Sequence, residues 1–251
     1  MKRTAIITIA GSSSRFSKSV EKEVHKAIYF DKNDSWTILA HQLKMLKDAC
    51  DEILIVTGYK HREVEQYLKN NFSSFNYKLI YNEHYSDYGS GYSLILAIDA
   101  VDEQSDELLF LEGDLIFDNY SFNQIIHTHN NVITVNNLPI MAKTAVIFYV
   151  NNQKIIKYLY DVNHKFIEIN EPFVQLGNSG QVWKFTDIKR LKNNIKNYGI
   201  NEYKGTNLIP INDYYKSTNL DEVEFITFKY WFNCNTIEDF KLMKKYVNKG
   251  D

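Results

Sequence analysis

Three short stretches of this chain combine residue types that could handle phosphate groups and a hard cation. The first is Ala10-Gly11-Ser12-Ser13-Ser14-Arg15, with His25-Lys26 following at a distance. Small polar residues after a buried strand expose backbone N–H groups that can cradle phosphate oxygens, and α/β sheets bind ligands at that edge. Arg15 could grip such oxygens through paired hydrogen bonds, and Lys26 could meet them as a movable point charge. The spacing is neither a Walker A loop nor Gly-x-Gly-x-x-Gly. A solvated loop with surface charges has the same composition, so both readings stay open on these residues alone. The second stretch, Leu109 to Asp114, is an apolar run ending in Gly113-Asp114. A carboxylate at a strand end suits Mg²⁺, which takes one or two carboxylates plus phosphate oxygens and water; a plain turn aspartate reads the same. The third is Trp231-Phe232-Asn233-Cys234-Asn235-Thr236, then Glu238-Asp239. Asn233 and Asn235 share a side if the segment is extended, while Thr236 and Asp239 read as a helix capping box.

The elements that must position these residues follow from the apolar pattern. Thr4–Ala10 and Glu52–Thr57 are continuous apolar runs, as expected of strands buried on both faces. Tyr77–Tyr81 and Glu107–Leu111 are two further strands. Between them, Trp36–Ala49 (capped by Ser35), His61–Asn71 and Ser90–Ala100 carry helical spacing. Strands alternating with helices imply βαβ crossovers and a mainly parallel sheet. From about Val132 the texture changes. Val132–Val135, Lys143–Val150 and Ile155–Tyr160 come close together and predict antiparallel or mixed strands. Asp187–Lys196 predicts a helix, Glu222–Phe228 a strand and Thr236–Val247 a closing helix.

Composition narrows the function classes. The chain has 251 residues, three prolines and no proline- or glycine-rich linker, so a single domain over 1–251 is expected. A net charge of -2 argues against nucleic acid as a partner. No run approaches about 18 apolar residues, so no membrane insertion is expected. The run Ala5–Ala10 is too short for a signal peptide. Cys50 and Cys234 form no metal or redox spacing, which suits a cytoplasmic protein with reduced thiols. The 18 Tyr and 15 Phe belong mostly to the core, though some could cage a cationic ligand. Nothing in the sequence sets an oligomeric state.

Taken together and in this order, the three stretches resemble the signature of the sugar-phosphate nucleotidyltransferases. That signature reads Leu-Ala-Ala-Gly-x-Gly-x-Arg, then Pro-Lys; here it is Ile9-Ala10-Gly11-Ser12-Ser13-Ser14-Arg15 and His25-Lys26. Leu111-Glu112-Gly113-Asp114 resembles the metal-binding aspartate motif, and Trp231–Asp239 resembles the late Glu-Ile-Asp-Thr-x-x-Asp segment. Tyr88-Gly89-Ser90-Gly91-Tyr92-Ser93-Leu94 is similar to the base-holding loop of the LicC-like phosphocholine cytidylyltransferase branch. Small residues there would let a base approach the backbone, although Ser90 and Ser93 read equally well as helix caps. Gln175 to Phe185 is similar to the family's acceptor-side segment.

The resemblance implies an α/β fold, Rossmann-like and three-layered, with a mixed, mainly parallel sheet of the nucleotide-diphospho-sugar transferase type and a small acceptor-side β insertion. Residues 1–130 would form the nucleotide-binding half, 131–230 the acceptor-binding half, and 231–251 the metal segment and closing helix. The implied activity is a Mg²⁺-dependent nucleotidyltransferase, a cytidylyltransferase moving CMP from CTP to a small phosphorylated acceptor and releasing pyrophosphate, in capsule or other surface-polysaccharide decoration. Arg15 and Lys26 would be catalytic. Ala10, Gly11, Ser12, Ser13, Ser14, Gly89, Ser90, Ser93, Glu112 and Gly113 would bind nucleotide. Asp114, Asn235 and Asn233 would hold Mg²⁺, and Gly177, Asn178 and Lys184 would meet the acceptor. Three departures stand out: Ser13 replaces the second loop glycine, His25 the proline, and Asn235 the second metal aspartate. The alternatives are a sugar-1-phosphate pyrophosphorylase using UTP or another triphosphate, and a catalytically inactive nucleotide-binding relative.

Overall fold

The computed structural model describes residues 1–31 and 34–247, so the last four residues of the expected closing segment lie outside them. Four strands, β1 (Arg3–Thr8), β2 (Glu52–Thr57), β3 (Tyr77–Tyr81) and β4 (Glu107–Glu112), lie parallel in the order β3-β2-β1-β4. They read as continuous apolar runs because helices cover both faces. Ala5 and Ile7 of β1 point to one face and Ile6 to the other, as a period of two demands. Between β1 and β2 lie α1 (Ser14–Ser19) and α2 (Ile38–Leu46); α3 (His61–Asn71) and α4 (Ser90–Ala100) follow β2 and β3. Leu39, Leu43 and Leu46 of α2 and Val64 and Leu68 of α3 pack on the face of Ala5 and Ile7. Leu94, Ala97 and Ile98 of α4 pack on the face of Ile6. Each fully buried Leu, Ile or Val side chain among them contributes about 1.5–3 kcal/mol.

The α3, β3 and α4 bounds fall where the pattern put them. The α2 cap does not: Thr37, not Ser35, holds it, its Oγ1 accepting from Ala40 N at 3.0 Å. The segment after β1, expected as an irregular loop, also winds one short helix. Ser13 permits this by adopting a left-handed conformation, φ 54°, just before α1.

The second half adds β5 (Leu115–Phe117), α5 (Asn119–His127), β6 (Asn131–Asn136), β7 (Ile147–Asn151), β8 (Ile156–Leu159) and the long β9 (Phe173–Phe185). Then come α6 (Ile188–Ile195), α7 (Ile200–Tyr203), α8 (Leu208–Tyr215), β10 (Val223–Thr227), β11 (Trp231–Asn233) and α9 (Ile237–Val247). β9 runs antiparallel between β4 and β6, and β10 joins β6 in parallel. The β7–β8 hairpin pairs with the first half of β9. The sheet is therefore mixed but parallel at its centre, with a small β insertion on one side, as expected. α6 and α8 pack against α4, which explains why α4 is apolar around most of its circumference. β5 and β11 form a separate antiparallel ribbon. The predicted box closes α9: Thr236 Oγ1 accepts from Asp239 N, and Asp239 Oδ2 accepts from Thr236 N at 2.8 Å.

Candidate active site

A cavity of about 900 Å³ opens at the C-terminal ends of β1, β3 and β4. The Gly11–Ser14 loop forms one wall, Tyr85, Tyr88 and Gly89 a second, and Asp114, Asn233 and Asn235 a third. Placing Asp114 there depends on Gly113. A Cβ at that position would lie 2.1 Å from Ile9 Cγ2 and 2.7 Å from Thr8 O, so only glycine lets the strands lie this close.

The ribbon of β5 and β11 assembles the polar corner. Cys234 N donates to Asp114 O at 2.8 Å, fixing the late segment onto the aspartate turn. Lys26 Nζ sits 2.7 Å from Asp114 Oδ2 and donates to Cys234 O at 2.9 Å. Asn233 Nδ2 donates to Asp114 Oδ1 at 3.4 Å, and Asn235 Nδ2 donates to Asn233 Oδ1 at 2.6 Å. Residues more than 100 positions apart thus meet within a few ångströms. The corner offers one carboxylate and, after rotation of the amides, two neutral oxygens. This donor set fits Mg²⁺ when phosphate oxygens complete its shell. Among the described residues no group of three His, Cys, Asp or Glu could hold a metal unaided, so the fit requires a phosphate ligand.

Glu112 borders the same cavity, and its Oε1 accepts from Asn207 Nδ2 at 2.6 Å. Burial, reinforced by the charge of Asp114, pushes its carboxyl up to about 8, against the pull of Asn207 and Lys26. A cation or ammonium entering this corner would relieve that pressure. Ser13 Oγ accepts from Lys26 N at 3.2 Å, a bond that the family's glycine could not make. It offsets the cost, about 1 kcal/mol, of a left-handed non-glycine residue. Arg15 stands exposed at the rim.

The loop before α4 is built differently from the expectation. Cβ atoms on Gly89 and Gly91 would strike the Gly205 and Thr206 carbonyl oxygens at 2.0 and 2.7 Å, so these glycines admit the backbone after α7. Ser90 and Ser93 are not caps either. Ser90 Oγ accepts from Asn207 N and Ser93 Oγ from Asn82 Nδ2. They fix the cavity wall, and Gly89, Ser90 and Ser93 still line it.

The acceptor-side expectations divide. Asn178 lines the cavity, whereas Gly177 makes room for the ring of Phe148, which a Cβ would approach to 2.3 Å. Lys184 lies outside it altogether. It is fully buried within the C-terminal stretch of β9 that pairs with β4, with Nζ 2.8 Å from Glu107 Oε1 and donating to the Thr128 carbonyl. Arg3 Nη2 lies 2.7 Å from the other oxygen of Glu107. Alternation puts Lys184 on the opposite face from Trp183, and its pairing opposite Leu109, near the start of β4, sets it in an ionic cluster at the end of the sheet away from the cavity. Tyr160, Gln181 and Trp231 also line the cavity. Sequence reading missed Tyr160, whose only signal was the abundance of aromatics, and quoted Gln181 and Trp231 inside longer motif segments without singling them out.

These features define the fold as that of the sugar-phosphate nucleotidyltransferases. It is shared with the CTP:phosphocholine cytidylyltransferase from Streptococcus pneumoniae at a TM-score of 0.67, with 18% identity over 98% of this chain and 100% of that one. The inositol-1-phosphate CTP transferase from T. maritima matches at a TM-score of 0.71, with 16% identity over 97% of this chain and 96% of that one. Within that fold, the chain belongs to the family described as "Domain of unknown function (DUF6564)", whose model matches residues 22–247. A choline-phosphate cytidylyltransferase from Haemophilus influenzae is 43% identical over 96 residues. That match covers 38% of this chain and 38% of the relative's length.

Proposed function

We propose that the chain is a cytoplasmic nucleotidyltransferase that moves CMP from CTP to a small phosphorylated acceptor with release of pyrophosphate. The observation that carries this reading is the Lys26–Asp114 pair at 2.7 Å, set between the Gly11–Ser14 loop and Asn233. The local sequence identity to a choline-phosphate cytidylyltransferase supports CTP as donor.

Asp114, with Asn233 and Asn235, would hold Mg²⁺ together with triphosphate oxygens. The ion would neutralise charge on the triphosphate and polarise its α-phosphoryl group. Arg15 at the rim would grip the β- and γ-phosphates. Lys26 can leave Asp114 for the α-phosphate and the acceptor phosphate, lowering the repulsion between two anions. A phosphate monoester has a second pKa of about 6, so it arrives ionised at neutral pH and no side chain need remove a proton. The protein's work is alignment and electrostatic stabilisation. Decoration of a capsule or other surface polysaccharide fits such an activated product.

A second reading, a nucleotide-binding relative without catalysis, is favoured by the amides at Asn233 and Asn235 where the family signature has carboxylates. Pyrophosphate release separates the two. CTP, UTP, ATP and GTP are each incubated with Mg²⁺ and a panel of small phosphate monoesters, with Asp114→Ala as control. Acceptor-dependent release with CTP, reduced at least a hundredfold in Asp114→Ala, is the expected outcome. Tight CTP binding with no release on any acceptor would favour the second reading.

A further inference from the structure

Gln181 occupies a backbone conformation that its side chain disfavours, φ 56°, inside a long β-strand. Its neighbour explains why the strain falls there. Gly180 is needed for packing, because a Cβ on it would lie 2.6 Å from both Phe228 Cε2 and Thr134 Oγ1. The pairing of β6 with β9 shifts register at the same place. The left-handed position therefore falls on residue 181, where glycine would be relaxed and glutamine is not. The bend sets Gln181 against the polar corner, with the side chain lining the cavity.

The hydrogen bonds give that carboxamide a direction. Asn235 Nδ2 donates to Asn233 Oδ1 at 2.6 Å, and Asn233 Nδ2 donates to Gln181 Oε1 at 3.4 Å. The chain of amides runs one way, so its donor end is the Nε2 group of Gln181. That group has two N–H bonds to give and no acceptor function. It stands on the side of the cavity that carries Trp231, whose Nε1 donates to Gly180 O at 2.7 Å. The 3.4 Å link to Asn233 is long enough for a bound anion to draw the amide inward without breaking a strong bond.

We propose that Gln181 is the residue that orients the acceptor: its Nε2 donates to an oxygen of the acceptor's phosphate group. The inference rests on the nucleotidyltransferase reading and deepens it. It accounts for a strained glutamine where a glycine would be more stable, since glycine has no donor to offer.

The test uses the full chain, inorganic phosphate as the probe of the acceptor subsite, and a non-hydrolysable CTP analogue with Mg²⁺. Binding of the analogue, binding of phosphate to the analogue-loaded protein, and melting temperature are measured for wild type, Gln181→Ala and Gln181→Gly. The expected result is phosphate affinity about tenfold weaker in both variants, with analogue affinity unchanged within about threefold. Gln181→Gly should also melt higher than wild type, and Gln181→Ala should not. Phosphate affinity that is undetectable in wild type, or equal in all three proteins, overturns the proposal. So does a matching loss of analogue affinity, which would make Gln181 a nucleotide ligand, or a Gln181→Gly protein that melts no higher than Gln181→Ala. A wild type that fails to bind the analogue refutes the nucleotidyltransferase reading itself, an outcome distinct from failure at Gln181 alone.

Discussion

His25 stands where the family signature has proline, and its chemistry differs accordingly. Its Nε2 lies 2.8 Å from Ile9 O, and its ring stacks on Tyr59. Burial holds the imidazole down at about 4, and the nearby positive charges of Lys26 and Lys60 add to that effect, against the Ile9 bond and Glu63. The folded state thus binds fewer protons than the unfolded state between pH 4 and the ordinary value near 6.5. Stability contributed by His25 is present above pH 6.5 and is lost as pH falls towards 4. Glu112, raised to about 8, pulls the other way over part of that range, so the wild-type curve alone hides the effect. The difference between wild type and His25→Gln isolates it, because Glu112 is common to both. Urea melts should show that difference shifting by about 2 kcal/mol against the wild type between pH 6.5 and 4.5. A pH-independent difference would mean the ring already titrates normally. At this scale Asp114 was legible because a carboxylate just after an apolar strand is conspicuous, and Lys26 because the family signature has a lysine after the small-residue loop. Gln181 was not, since no residue type announces a left-handed φ.

Elements were legible where burial on both faces forces an unbroken apolar run. β1, β2 and β4 declared themselves in that way, and α3 and α4 did so by helical spacing. β9 escaped because Gly177, Gly180 and Gln181 interrupt the pattern, each for a tertiary reason outside its own neighbourhood. α8 escaped because Pro210 sits in its first turn and Tyr214 and Tyr215 are buried side by side, which blurs any amphipathic stripe. The α4 entry loop carries a prediction at this scale. Gly89 N donates to Tyr203 O and Gly91 N to Gly205 O, a backbone-to-backbone seam between the α4 entry and the segment at α7. Gly89→Ala sets a methyl into the Gly205 carbonyl, and neither backbone can yield without opening the seam. The variant should lose about 1–3 kcal/mol in denaturant melts. Its affinity for CTP should fall too, because Ser90 and Asn207 would move with the wall. Full CTP affinity in a destabilised Gly89→Ala protein would show that this wall does not meet the nucleotide.

At the scale of the whole molecule the sheet has two polar ends with opposite duties. The C-terminal end of its parallel strands holds the cavity, where charges stay partly hydrated and available to a ligand. The N-terminal end holds Arg3, Glu107 and Lys184, nearly or fully buried and committed to each other and to main-chain carbonyls. The family resemblance put Lys184 among the acceptor ligands because nothing in a linear segment distinguishes one end of a strand from the other. The register decides it: Lys184 pairs opposite Leu109 and Val132, deep in the sheet, while Asn178 pairs opposite Asn136 at the cavity. Removing one member of a buried ion cluster strands the others and typically costs 3–5 kcal/mol. Lys184→Met keeps the volume, and Arg3 still faces Glu107, so the loss should sit near the lower figure, about 3 kcal/mol. Affinities for CTP and for phosphate should stay within about twofold of wild type, because the cluster lies outside the cavity. Urea melts and binding isotherms on the same preparation measure both. A Lys184→Met protein of unchanged stability but weakened phosphate binding would return this lysine to the acceptor site and reverse the division of labour between the two ends.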